Sequence, residues 1–222
     1  MIHARSSRFG LLPSITTAGL VVVCALATSA CDPASARGSA GSANAEDSGP
    51  LSNVKVSAPT IDFELPEFEL VDHEKRPFKK ADLAGKVWVT DFIFTSCPSV
   101  CPGLTRKMSA LVKELEGNDA VRFLTITVDP ENDTPEKLAA FGREHGTPSP
   151  KWFMVTGEPK VVDNTVIKGF LMAVQRGSAR TDISHAERFV VVDKRAHVRG
   201  LFDTDDAGLA SLKKRIDELA AE

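Results

Sequence analysis

Apolar residues along the chain follow two different spacings, and the two alternate. Residues 86–94 (KVWVTDFIF) and 121–128 (VRFLTITV) are short apolar runs rich in β-branched and aromatic side chains, which predicts two buried strands. Residues 99–115 lie between them and carry apolar residues three or four positions apart, so we expect a helix with one buried face. A strand followed by a helix and another strand indicates the α/β class.

The same patterns predict the other elements of the domain. Further strands are predicted at residues 68–71 with a partner near Pro77, and at 151–155, 188–192 and 197–202. Further helices are predicted at residues 134–145, 159–170 and 205–221. Strands that alternate with helices and end in a hairpin and a helix describe a thioredoxin-like α/β sandwich, in which helices flank a central mixed β-sheet.

The first 30 residues have the organisation of a secretory signal peptide. Arg5 and Arg8 precede an apolar run at residues 18–27, and small residues then lead to Cys31. An uncleaved membrane helix is the alternative, but the apolar run is short for a span of about 20 residues. A cysteine at this place resembles the lipobox of bacterial lipoproteins, which implies that Cys31 is a lipid anchor. By resemblance to Gram-negative lipoproteins, Asp32 favours retention at the inner membrane, so we expect the protein to be lipid-anchored on the periplasmic side of this membrane.

Composition separates a tether from the domain. Residues 31–53 are rich in Gly, Ala and Ser, which predicts a flexible tether, and the domain is expected at residues 54–222. The 222-residue chain is 42% apolar and 26% charged, which suits a single globular domain. Its net charge of −3 gives no basic excess, so we expect no nucleic-acid partner.

Two cysteines remain for chemistry within the domain. Cys24 lies in the signal segment and Cys31 at its end, which leaves Cys97 and Cys101 just after a predicted buried strand. A spacing of four residues puts both sulfurs on one helical face, where they could bind one metal ion or form a disulfide. We expect the positive end of the helix dipole to lower both thiol pKa values and the loop to be accessible.

The spacing alone leaves three interpretations of the pair open. A purely stabilising disulfide would close a very short loop and so gain little entropy. Metal binding and redox chemistry both remain, because C-x-x-x-C does not distinguish them. A third metal ligand must come from elsewhere, and the histidines are the candidates. His185 differs in setting from the others, since it ends a polar loop at residues 175–184 and precedes a predicted strand. The other candidates, each expected to be solvated, are His73, His145 and His197.

Four stretches together resemble the SCO/SenC family of copper-binding assembly factors for cytochrome c oxidase. They come in the family's order and cover nearly the whole domain: GKVWVTDFIFTSCPSVCP (85–102), TVDPENDTPEKL (127–138), KWFMVTG (151–157) and HAERFVVVD (185–193). The resemblance implies that Cys97, Cys101 and His185 bind copper. The family commonly has Asp before this histidine and Ser or Thr after it, whereas this chain has Ser184 and Ala186.

The implied function is that of a monomeric, membrane-tethered metallochaperone rather than an enzyme. Its partners would be the copper-site subunit of cytochrome c oxidase and other copper carriers. Two thiolates and one imidazole form a soft set of ligands that suits Cu(I). Oxidation of Cys97 and Cys101 to a disulfide would remove both thiolates and release the metal. The methionines of the domain fall in apolar patterns and are expected to pack in the core: Met108, Met154 and Met172.

The main alternative is a thiol-disulfide oxidoreductase that reduces the cysteines of the oxidase subunit. Oxidoreductases of the thioredoxin type resemble one another in a cis-proline that faces the cysteines, and no proline follows Lys160 here, which favours metal binding. A thioredoxin-like peroxidase is a third alternative, but the chain lacks the spacing of a lone peroxidatic cysteine. Asp129 is either an acid near the site, as the resemblance implies, or a turn former before Pro130.

Overall fold

The structure, a computed structural model, describes residues 61–146, 149–179 and 181–222. The predicted signal peptide (1–30) and tether (31–53), with Cys31, lie outside these residues. The described residues belong to one compact unit that spans Val54–Glu222. Within these ranges, no helix combines the length and the apolar character needed to cross a bilayer.

The elements alternate along the chain much as the pattern predicts. The strands of the described ranges are β1 (Phe63–Glu64), β2 (Glu69–Asp72), β3 (Pro77–Lys79), β4 (Val87–Ile93), β5 (Val121–Thr127), β6 (Trp152–Thr156), β7 (Val174–Arg176), β8 (Ile183–His185), β9 (Arg188–Val192) and β10 (His197–Asp203). The α-helices there are α1 (Val100–Glu114), α2 (Pro135–His145), α3 (Pro159–Asp163) and α4 (Asp206–Ala221). A 3₁₀ turn covers Lys80–Leu83, and a π-helical segment covers Asn164–Gly169.

Eight strands form one mixed sheet in the order β1-β10-β9-β4-β5-β6-β2-β3. β4 runs parallel to β5, and β5 runs parallel to β6, whereas β9 runs antiparallel to β4. The predicted α/β architecture with a central mixed sheet and flanking helices is therefore confirmed. Because β4 and β5 are parallel neighbours, their carboxyl ends meet at one edge of the sheet, where ligand sites of α/β proteins usually lie.

The central strand β4 is buried along its whole length, which explains its continuous apolar run. Trp88 and Phe92 project from one of its faces and meet the ring of Phe170, with centroid distances of 6.2 and 5.3 Å. Three methionines are also buried, so the expectation that they pack in the core is confirmed: Met108, Met154 and Met172. Burial of these side chains supplies the main stabilisation of the fold.

Two segments differ from the prediction. Residues 159–170 do not form one α-helix, because α3 gives way to the π-helical segment, whose wider turn ends with the Phe170 N–H bonded to the Thr165 carbonyl. The supposed polar loop at 175–184 instead contains most of a hairpin in which β7 pairs with β8. This ribbon can form from polar residues because the backbone groups of its two strands hydrogen-bond to each other, and only Val174 and Ile183 pack against the core.

Candidate metal centre

The two cysteines lie where β4 ends and α1 begins. β4 stops at Ile93, and the Cys97 N–H then bonds to the Phe94 carbonyl at 3.2 Å, which closes a turn. Cys101 is the second residue of α1. The structure thus places both side chains at the carboxyl edge of the parallel strands, as the sequence predicts.

The two thiols are free and lie next to each other. The Cys101 backbone N–H points at the Cys97 sulfur, with a distance of 3.5 Å between nitrogen and sulfur. Cys97 is only 9% exposed and Cys101 only 2% exposed. The loop itself is accessible, as expected, since Pro98, Ser99 and Val100 are exposed, but the turn folds both sulfurs inward against the core.

The two thiols differ strongly in acidity. Burial raises the pKa of Cys97, but hydrogen bonds to its sulfur from the backbone N–H groups of Cys101, Ser99 and Val100 and from the Cys101 thiol outweigh it, so the pKa is lowered. Burial raises the pKa of the Cys101 thiol, and the bond to Cys97 and the charge of Asp91 raise it further. The predicted lowering of both pKa values is right for Cys97 and wrong for Cys101. Of the two thiols, Cys97 is therefore the one that loses its proton more readily.

A buried carboxyl group lies below the pair on β4. Asp91 has no exposed surface, and its Oδ1 accepts a hydrogen bond from the Thr125 hydroxyl at 2.5 Å. The Trp152 indole N–H in turn donates to the Thr125 hydroxyl oxygen at 2.9 Å. Among the described residues, Asp91 Oδ2 has no partner. Burial raises the pKa of Asp91 to about 7, although hydrogen bonds from the Thr125 hydroxyl and from its own backbone N–H act to lower it. This carboxyl group therefore holds a proton in mildly acidic solution.

A second buried carboxylate fixes the start of the cysteine loop. Asp133 accepts hydrogen bonds from the Thr95 N–H at 2.9 Å, from the Thr95 hydroxyl, and from the Thr127 hydroxyl at 2.6 Å. Burial raises the pKa of Asp133, although the bonds from Thr127 and Thr95 oppose the change. Because Thr95 follows β4 and Thr127 ends β5, this one side chain ties together the loops that leave two neighbouring strands.

Asp129 lies in the turn that follows β5. Its backbone carbonyl accepts bonds from the Asn132 and Asp133 N–H groups, and its Oδ1 accepts one from the Asn132 side chain at 2.8 Å. These contacts fit a turn former. Its Oδ2 is buried and has no partner within the described ranges, so a role as an acid near the site stays a prediction.

His185 ends β8 and lies beside the residue that begins the cysteine loop. Its imidazole meets the Phe94 ring edge-on at a centroid distance of 6.2 Å, and its Nδ1 lies 3.2 Å from the Ala186 carbonyl oxygen. Burial lowers the pKa of His185, which favours the neutral imidazole that metals bind. The described residues contain no group of three His, Cys, Asp or Glu side chains already close enough to hold a metal ion. The two thiols therefore lie side by side, while the His185 imidazole lies beside Phe94 and is not within ligand distance of a metal ion held by the thiols.

Each of the other three histidines in the described ranges has a local partner. His73 Nδ1 accepts the Met154 N–H at 3.2 Å, and His197 Nδ1 lies 2.7 Å from Asp62. The His145 ring packs against Phe141 at a centroid distance of 4.6 Å. None of these contacts involves the cysteine loop, whereas His185 contacts Phe94, the residue at which this loop begins.

The pattern of the whole domain matches one family of known proteins. The SCO1/SenC family model aligns with residues 59–221, which include β4, the cysteine loop and the hairpin with His185. The chain belongs to the SCO1/SenC family. The fold of this family member is accordingly thioredoxin-like, as the sequence predicts.

Solved structures of the family are similar over most of the domain. A SCO1/SenC family lipoprotein from Bacillus anthracis is 27% identical, with a TM-score of 0.67 over 73% of this chain and 98% of that one. BsSco, a Sco family cytochrome c oxidase assembly protein with an identified disulfide switch, is 25% identical, with a TM-score of 0.66 over 73% and 96% of the two chains. Copper-bound ScoI from Bradyrhizobium japonicum has a TM-score of 0.60 at 21% identity over 68% and 99%, which shows the shared fold.

Three polar residues around the site escaped the reasoning from sequence. Asp91 had a visible signal, a single acid within an apolar strand. Asp133 directly precedes the predicted helix at 134–145, but Thr134 caps this helix, and the buried Asp133 side chain accepts hydrogen bonds from Thr95 and Thr127 instead. Arg176 gave no signal, because an arginine in a polar stretch is ordinarily solvated.

Proposed function

We propose that this chain carries copper to the copper-site subunit of cytochrome c oxidase and binds it through Cys97, Cys101 and His185. Family membership supports the general role, since its relative BsSco is a cytochrome c oxidase assembly protein and its relative ScoI holds copper. The observation that carries the proposal is the pair of adjacent free thiols at the end of β4, with the His185 imidazole beside the Phe94 ring.

The thiol pair explains how metal could be gained and lost. Cys97 has the lowered pKa, so it would supply the first thiolate to an arriving Cu(I) ion. Cys101 would lose its proton as it binds, since a coordinated thiol is deprotonated. His185 would then complete a three-ligand site by rotation of its side chain toward the sulfurs. Three soft ligands leave Cu(I) open to attack by a partner's thiolates, which permits transfer.

The setting of the protein belongs to the same proposal. A signal peptide at residues 1–30 would export the chain, and an acylated Cys31 would hold it on the periplasmic side of the inner membrane. Residues 31–53 would form the tether from which the domain (54–222) reaches the oxidase subunit. Other copper carriers would supply the ion, and the protein would act as a monomer.

Copper titration of matched variants tests the ligand set. Reduced wild-type chain is expected to bind one Cu(I), and Cys97→Ser and His185→Ala should each weaken binding by a factor of ten or more. His145→Ala is the matched control, because its imidazole also packs edge-on against a phenylalanine ring but lies away from the cysteines. Unchanged copper affinity in His185→Ala would rule out the three-ligand site.

A thiol-disulfide oxidoreductase is the second candidate, and the unequal acidity of the thiols favours it. The Cys97 thiolate would attack a substrate disulfide, forming a mixed disulfide and releasing one substrate thiolate. The Cys101 sulfur, having lost its proton, would then attack Cys97, releasing the second substrate thiolate and leaving a Cys97–Cys101 disulfide after transfer of two electrons. A Cys101→Ser variant should trap the mixed disulfide with a disulfide peptide. If no adduct forms, this activity is excluded.

A further inference from the structure

The hairpin that carries His185 is separate from the main sheet. β7 and β8 pair only with each other among the described strands, so no backbone ladder fixes their position over the site. Val174 and Ile183 pack against the core, but apolar contacts have no preferred direction and so do not by themselves fix the tilt of a small ribbon. The direction in which the imidazole points therefore depends on directional contacts of the hairpin.

Arg176 makes the strongest directional contact of this hairpin. Its Nη2 donates to the Val128 carbonyl at 2.7 Å, and its Nε donates to the same oxygen at 3.3 Å. The same Nη2 lies 2.6 Å from Asp163 Oδ1, at the end of α3. A planar guanidinium that holds two partners at once fixes both distance and orientation.

Arg176 and His185 lie on the same face of the hairpin. Val174 pairs directly with His185, and Arg176 pairs with Ile183, so the paired side chains share a face. Val174 and Arg176 are two residues apart on one strand, which places all four side chains on that face.

This shared face covers two neighbouring strand ends. Arg176 contacts Val128 after β5, and His185 contacts Phe94 after β4. The Val128 N–H itself bonds to the Ile93 carbonyl at 2.8 Å, so the two contact points are joined by the sheet. Adjacent strands lie about 4.8 Å apart, which means that the hairpin is held at two nearby points rather than at one.

We propose that Arg176 is a positioning residue. Its hydrogen bonds to the Val128 carbonyl and the Asp163 carboxylate hold the face of the hairpin that bears His185 over the cysteine loop. This inference rests on the proposed function, in which His185 is a copper ligand. Arg176 touches neither copper nor thiol in this scheme, and it acts on the metal only through the imidazole.

A merely stabilising role makes a different prediction. The Arg176 side chain is 36% exposed and the Asp163 side chain 39% exposed. Ion pairs with such exposure add little to the stability of the whole fold. Replacement of Arg176 should therefore leave the fold intact while it loosens the hairpin. The effect on copper should vanish once His185 is absent, which a double-mutant cycle measures.

The experiment compares Cu(I) affinity by chelator competition in the reduced full chain. The variants are Arg176→Gln, His185→Ala and the double variant. Arg122→Gln is the matched control, because Arg122 also donates to backbone carbonyls, at 2.7 and 3.0 Å, but at the opposite end of β5. Pulsed electron paramagnetic resonance of the Cu(II) form reports the bound imidazole nitrogen directly.

Arg176→Gln should weaken Cu(I) binding at least about tenfold and reduce the imidazole signal, while Arg122→Gln changes neither. In the His185→Ala background, the same replacement should change affinity less than about twofold. Arg176→Lys keeps one donor and should recover part of the loss. If Arg176→Gln does not fold, Asp163→Asn carries the test with a smaller expected loss, since it removes one of the two partners.

The contrary outcomes separate this inference from the proposed function. Wild-type affinity in Arg176→Gln, beside a large loss in His185→Ala, would overturn the inference alone. An equal loss from Arg176→Gln with and without His185 would also overturn it, because Arg176 would then act on the thiols or on the whole fold. Unchanged affinity in His185→Ala would overturn the ligand set itself and the positioning role with it.

Discussion

Replacing Asp91 by asparagine should make the protein more stable, and the gain should grow as the pH rises. Asp91 is fully buried in β4, where Thr125 donates to its Oδ1 and Oδ2 has no partner among the described residues. Burial raises the pKa of this carboxyl from 3.8 to about 7. Asparagine keeps an acceptor for the Thr125 hydroxyl, has nearly the same shape and cannot ionise.

The sign and size follow from proton linkage. Between pH 3.8 and about 7, the unfolded chain has lost the Asp91 proton while the folded chain still holds it. The free energy of unfolding of the wild type therefore falls by about 1.4 kcal/mol per pH unit in this window. The raised pKa thus costs on the order of 4 kcal/mol, fully developed above about pH 7, and Asp91→Asn removes this cost.

Urea denaturation of the reduced, copper-free chain measures the difference between about pH 4 and pH 8. Asp193→Asn is the control, because Asp193 is also buried but has the opposite shift. Burial raises the pKa of Asp193, yet bonds from the His197 N–H and the Arg199 guanidinium outweigh it and lower the pKa. Asp193 therefore stabilises the fold above its unfolded pKa, and this contribution is lost as the pH falls through the folded pKa.

The two variants should diverge in opposite directions at neutral pH. The free energy of unfolding of Asp91→Asn should exceed that of the wild type by a margin that grows as the pH rises. Asp193→Asn should be less stable than the wild type near pH 7, and this difference should shrink as the pH falls. A constant difference between Asp91→Asn and the wild type across the range would refute the reasoning. So would a wild type that is the more stable protein at pH 8, since ionised Asp91 would then be well solvated or paired.

Two further predictions concern the loop around the thiols. Asp133→Ala removes the acceptor of the Thr95 and Thr127 hydroxyls. It should lower the free energy of unfolding by about 2 kcal/mol or more, because buried donors lose their partner. Urea denaturation measures this change, and a difference below about 0.5 kcal/mol would contradict the prediction. Iodoacetamide should alkylate Cys97 more than about ten times faster than Cys101 near neutral pH, because only the Cys97 pKa is lowered. Peptide mass spectrometry measures both rates, and equal rates would show that the thiols do not differ in acidity.

The parts of the fold that sequence could predict are those set by local patterns. β4 and β5 are buried on both faces, so their apolar runs are continuous and easily read. The helix after Thr134 begins at Pro135 with Thr134 as its cap, since the capping chemistry is local. The position of Cys97 and Cys101 followed from these elements, because a strand end and a helix start fix the loop between them.

The parts that could not be predicted depend on contacts between distant residues. The β7–β8 ribbon is polar and stands outside the main sheet, so its sequence looks like a loop. The two thiols differ in acidity because α1 turns Cys101 toward the core and Asp91, whereas the Cys97 sulfur accepts hydrogen bonds from backbone N–H groups. No spacing rule contains that information. The bonds of Arg176 to Val128 and Asp163 join three separate segments in the same way.

X-ray absorption spectroscopy of the Cu(I)-loaded full chain tests the central claim most directly, because it counts the atoms bound to copper. We expect two sulfur ligands and one nitrogen ligand in the wild type, which correspond to Cys97, Cys101 and His185. The nitrogen ligand should disappear in His185→Ala and persist in His145→Ala. A nitrogen ligand that survives in His185→Ala, or a copper ion bound by the sulfurs alone in the wild type, would contradict the account.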